Sequence, residues 1–161
     1  MSEPEIPKIN VPFSFTRRPT PIPPDLRTDW RVAVLLLILY YSRGYRVSLK
    51  KLHVINWAIR SSENRELLLE YLLNKVQPHD IIIRFEPGII RAVDFAKGYE
   101  LIKMEYSKPT GIMLTDKGIQ MARKIDGFND CFVKEKEFLR KIKPYVLEKN
   151  ISSLLNWEFS Q

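Results

Sequence analysis

The chain has 161 residues, of which 45% are apolar, with a net charge of +7 and a pI near 9.5. This length fits one domain with arms, the apolar content excludes wholesale disorder, and the charge points to an anionic partner. The single cysteine, Cys131, allows no intrachain disulfide and fits a reducing cytoplasm, and no basic start followed by an apolar run reads as a signal peptide. Residues 1–28 carry seven of the eleven prolines, which prevents helix and favours an extended arm. Ile9, Val11, Phe13 and Phe15 alternate along it and give it one apolar edge. Asp29 is expected to cap a helix over 30–42, whose ten-residue apolar run from Val32 to Tyr41 is about half the length of a membrane span. Apolar on all sides, it reads as the central helix.

Gly44 breaks that helix, and Ser48 is placed to cap a second over 49–60, with Leu52, Ile55, Ala58 and Ile59 inward and Lys50, Lys51 and His53 outward. Ser61-Ser62 opens a third over 63–76. The β-branched run 81–85 reads as a strand. Pro87-Gly88 then leads into a one-faced helix through Ile89, Ile90, Val93 and Phe95-Ala96, with Gly98 as its stop. Runs 101–106 and 111–114, separated by Ser107 to Thr110, read as a hairpin. Thr115-Asp116 offers the cap of a helix whose apolar face is Ile119, Met121-Ala122 and Ile125. A further helical pattern over 129–143 carries Cys131-Phe132 on its apolar side, and an apolar segment over 151–159 includes Leu154, Leu155, Trp157 and Phe159.

Helix, β-wing, helix is the second half of a winged helix-turn-helix. The expected fold is α+β, mainly helical: a winged-helix domain over 29–127 with a small β-wing, a proline-rich arm over 1–28 and a C-terminal helical extension over 128–161.

Material for catalysis is sparse. His53 and His79 are the only histidines, neither has a second ligand at metal spacing, and no glycine-rich phosphate loop follows a strand. No catalytic residue, metal ligand or cofactor is expected. The charge is uneven: five basic and no acidic residues over 43–60, against five basic and four acidic over 84–108. Arg43, Arg46, Lys50, Lys51, Arg60 and the wing-tip Lys108 are therefore the candidates for phosphate or an acidic surface, the plain alternative being a solvated helix face. Asp94, beside Arg91 and Lys97, disfavours base reading by the second-half helix. Ile9, Val11, Phe13, Phe15, Leu154, Leu155, Trp157 and Phe159 are the candidate partner anchors. The alternative is that both arms fold back on the domain.

Two stretches carry a resemblance. Residues 31–61, RVAVLLLILYYSRGYRVSLKKLHVINWAIRS, combine an apolar helix, a basic turn and a Ser48-x-x-Lys51-Leu52 helix entry. The later block runs from Ile90-Arg91-Ala92 through Phe95-Ala96 and Leu101-Ile102 to Leu114-Thr115-Asp116-Lys117-Gly118, with Ile90 where the pattern has Asn. Together they resemble the middle components of bacterial three-component ABC-ATPase conflict systems, including the Lamassu-type antiphage systems. The resemblance implies a non-catalytic adaptor bridging an SMC-like (Rad50-like) ATPase and an effector, often a nuclease. The cysteine content places it in the cytoplasm, the short apolar run gives it no membrane contact, and the basic residues over 43–60 would help with non-specific duplex DNA or an acidic ATPase surface. A dimeric winged-helix transcriptional regulator that binds duplex DNA is the alternative.

Overall fold

The computed structural model describes residues 27–156. Helix α1 (Thr28–Tyr41) is followed by a 3-10 turn, strand β1 (Arg46–Ser48), and helices α2 (Leu49–Ile59), α3 (Ser62–Leu72) and α4 (Gly88–Gly98). Strands β2 (Ile102–Glu105) and β3 (Gly111–Leu114) come next, then α5 (Asp116–Gly127), α6 (Val133–Ile142) and α7 (Glu148–Asn156). The architecture is α+β and mainly helical, with one three-stranded antiparallel sheet ordered β1-β3-β2.

Six consecutive residues of α1, Val34 to Leu39, are buried. A helix can bury consecutive positions only when it is enclosed on every side, and α1 packs against α2, α4, α5, α6 and β3. One apolar cluster runs from Val34 through Val47, Ile112 and Ala122 to Leu155. The segment 128–156 thus belongs to the same core as the rest of the described chain.

Local signals set most boundaries. Ser48 caps α2, its hydroxyl accepting from the Lys51 amide at 3.2 Å, and Ser61 and Thr115 cap α3 and α5 in the same way. Gly44 breaks the chain after α1 with φ 68°, a left-handed conformation that glycine adopts without steric cost.

Several expectations need correction. Asp29 does not cap α1: the helix starts at Thr28, and Asp29 sits in its first turn, where its charge favours the helix dipole. α3 stops at Leu72, because Asn74 turns left-handed and Lys75 and Asn74 donate to the carbonyls of Glu70 and Tyr71. Gly98 is the last residue of α4 and not its stop; Glu100 takes the left-handed position at φ 59°.

Residues 81–85 form no strand. Buried Ile81 and Ile83 alternate with exposed Ile82 and Arg84, but the two edges of β3 are already filled by β1 and β2. The sheet's remaining strand is Arg46–Ser48, registered so that Arg46 faces Met113. α6 begins only at Val133, and Cys131 lies exposed before it instead of on an apolar helical face.

Candidate functional site

The six cations expected to meet phosphate divide by partner. Arg46 is committed to the wing: its Nε pairs with Glu105, and its Nη2 donates to Ser107 Oγ at 3.1 Å and to the Pro109 carbonyl at 2.6 Å. Arg60 Nη1 lies 3.3 Å from Glu86, whose other carboxylate oxygen pairs with Arg31. Gly88 makes that second pair possible, since a Cβ there would fall 1.1 Å from the Arg31 Nη1 position. Both arginines hold the structure together before they can offer charge outward. Lys50 on α2 and Lys108 at the wing tip are exposed.

Arg43 and Lys51 meet two cations that the sequence reading missed. They line a groove of about 1010 Å³ together with Arg140 and Lys143, which arrive from the end of α6. The walls also carry Tyr40, Tyr41 and Tyr45. Tyr45 stacks on Tyr40, with ring centroids 5.7 Å apart and planes 16° apart. Lys51 is half-buried, and burial holds its ammonium below the usual lysine range, against a smaller opposing pull from Glu148. Among the described residues Glu148 is the one carboxylate on the groove wall, and it accepts from Ser48 Oγ at 2.9 Å. The only sign of this set in the sequence is the basic clustering at the end of α6, which resembles ordinary helix-dipole compensation.

Tyr41 anchors the groove floor. Its hydroxyl donates to Asp126, and Arg140 sits 3.6 Å from that carboxylate and 5.5 Å over the Tyr41 ring. Burial first, then the Asp126 carboxylate, push the Tyr41 hydroxyl up to about 12. In the unfolded chain a tyrosine ionises near about 10. A pKa raised on folding contributes stability that is complete below pH ~10 and is lost as pH climbs toward ~12. Tyr41→Phe should therefore remove one tyrosinate titrating near pH 12 and shrink the alkaline stability loss, measured by ultraviolet difference absorbance and by urea unfolding on both sides of that window. An unchanged alkaline profile would show that Tyr41 does not titrate there.

A second surface is apolar. Phe95 and Tyr99 stand 50% and 62% exposed at the end of α4. With Val32, Leu36, Met121 and Ile125 they line a groove of about 380 Å³ between α1, α4 and α5. Ile82, Phe85 and Ile90 are also exposed, and the Phe85 ring meets His53 edge-on at 4.9 Å. Burial lowers the pKa of His53 and so favours its neutral form. The outward-facing side of α4 carries Arg91, Asp94 and Lys97 between its apolar flanks.

Ile9, Val11, Phe13, Phe15, Trp157 and Phe159 are outside the described residues. Leu154 and Leu155 are corrected: at 2% and 4% exposure they are core residues, because α7 lays its apolar face on α2 and leaves its polar face to solvent. Lys136, 4% exposed, was also missed. Its ammonium donates to the carbonyls of Asp126 and Phe128 at 3.1 and 2.5 Å, closing the end of α5.

Among the described residues no three His, Cys, Asp or Glu side chains converge to hold a metal, and no helix is long and apolar enough to cross a membrane. No protein-family model, curated protein or solved structure matches the chain.

Proposed function

We propose that the chain is a cytoplasmic winged-helix adaptor, a non-catalytic subunit of a defence complex that joins an SMC-like ATPase to an effector of nuclease type. The winged-helix reading is supported by the element order and by β1 returning to the hairpin beside β3. One observation carries the adaptor reading: the apolar groove at Phe95, Tyr99 and Met121. Open apolar surface beside the helix that leads into the wing suits the core of a protein interface, where aromatic and Met side chains concentrate. It does not suit contact with a phosphate-rich duplex. A second reading, a dimeric regulator on duplex DNA, draws on the same sheet order and on exposed Arg91, Lys97 and Lys108. Asp94, exposed among the α4 cations, opposes it.

The chain purified with the products of its flanking genes should bring an SMC-like ATPase with it. Phe95→Asp combined with Tyr99→Asp should reduce that recovery at least about tenfold, as expected for truncating interface anchors, with the thermal melt unchanged. The adaptor reading fails if no ATPase is recovered and the chain instead shifts its own promoter duplex with sequence preference at physiological salt.

A further inference from the structure

We propose that the groove between the C-terminal end of α1, the turn at 43–45, the first turn of α2 and the α6–α7 connection binds a short stretch of single-stranded nucleic acid. Its unpaired bases would lie on the Tyr45–Tyr40 stack, and its phosphates would meet Arg43, Lys51, Arg140 and Lys143. All four cations line the groove, Arg140 while also pairing with Asp126 at 3.6 Å; among the described residues Glu148 is the single carboxylate on the wall, and Ser48 already donates to it. Lys51 is half-buried and makes no ion pair within 4.0 Å among the described residues, so an incoming phosphate supplies the partner its burial withholds.

Charge alone would serve an acidic peptide equally well. The aromatic wall favours a nucleic acid. Tyr45 is 37% exposed and is held in place by its contact with Tyr40, and base–tyrosine stacking tolerates every base because each has a π-face. A concave groove favours a single strand over a duplex, whose bases are stacked and paired inside and cannot reach Tyr45.

The site is independent of the apolar groove. The two lie at opposite ends of α1, one lined by residues between Thr28 and Leu36 and the other by residues between Ile38 and Ser42. A helix of 14 residues spans about 21 Å, so both surfaces can be occupied together.

The test is fluorescence anisotropy on the full chain with labelled oligothymidylate, the matching duplex and labelled polyglutamate across a salt series. Each neutralised phosphate of a single strand contributes about −0.7 to the logarithmic salt slope, so four contacts give about −2.8. Arg43→Gln with Lys143→Gln, both exposed, should halve that slope. Tyr45→Asn should weaken oligothymidylate about tenfold without changing the slope, since asparagine tolerates the left-handed backbone at φ 54°.

Neither variant should affect capture of a protein partner through Phe95 and Tyr99, so failure of this site and failure of the adaptor reading are separable. The proposal is overturned if the duplex binds as tightly as the strand. It is also overturned if polyglutamate competes equally while Tyr45→Asn changes nothing, which would mark an acidic-peptide site. Binding indifferent to both variants places the strand elsewhere and equally ends the proposal.

Discussion

Gly118→Ala should destabilise the chain by about 3 kcal/mol, at the upper end of what overpacking costs. A Cβ on Gly118 would stand 1.9 Å from the Leu101 carbonyl oxygen and 2.9 Å from its carbon, both backbone atoms that no rotamer change can move. That carbonyl is fixed from another side, since it accepts from the Thr115 amide at 3.0 Å. The two carbonyls before it are also occupied: Glu100 accepts from Thr115 Oγ1 at 2.6 Å and Tyr99 from Lys117 Nζ at 2.8 Å. Thr115 Oγ1 in turn accepts from the Gly118 amide at 3.1 Å, capping α5. Relieving the clash means lifting α5 off the end of α4 and breaking this ladder. Urea unfolding measures the cost, with Gly98→Ala as the control. Nothing lies within 4 Å of a Cβ at Gly98 and its φ is not left-handed, so that change should be neutral or stabilising by about 0.5–1 kcal/mol. Equal effects of the two substitutions would show that the close approach does not exist.

The stretch Leu114 to Gly118 also marks where the sequence was legible. A Thr before a helical pattern announces a cap by a rule spanning four residues, as does Ser48, and both are caps in the structure. The need for glycine at 118 was not readable, because the atom it avoids belongs to a different element. The same division explains the strand error. The run 81–85 has the composition of a strand, whereas Arg46–Ser48 does not stand out, yet pairing with β3 decides which segment is one. Charge followed the same pattern. Arg43 and Lys51 were visible as a local cluster, but Arg140 and Lys143 join them only through folding, and the removal of Arg46 and Arg60 by Glu105 and Glu86 depends on contacts far apart in sequence. Leu154 and Leu155 read as exposed anchors in the sequence because an apolar segment near a terminus looks unpartnered until the helix packing against it is known.

Leu37→Ala should cost about 3–4 kcal/mol, within the range for fully buried leucines. Leu37 has no exposure and lies in α1, a helix packed against α4, α5 and α6, so the space left behind is not readily closed by moving a single element. Leu73, 38% exposed just past the end of α3, should lose well under about 1 kcal/mol on the same change, because little apolar surface leaves water there. The informative companion is Leu154→Ala in α7. If the segment 128–156 folded as a separate extension, this substitution would lower a second transition and leave the first alone. The shared cluster predicts instead that Leu37→Ala and Leu154→Ala shift one and the same transition, seen equally by far-ultraviolet circular dichroism and by tryptophan fluorescence, as two-state unfolding requires. Divergence of the two probes after Leu154→Ala would divide the core. It would also loosen the groove, because Arg140 and Lys143 would then be held on an element able to unfold by itself while Arg43 and Lys51 stayed in place.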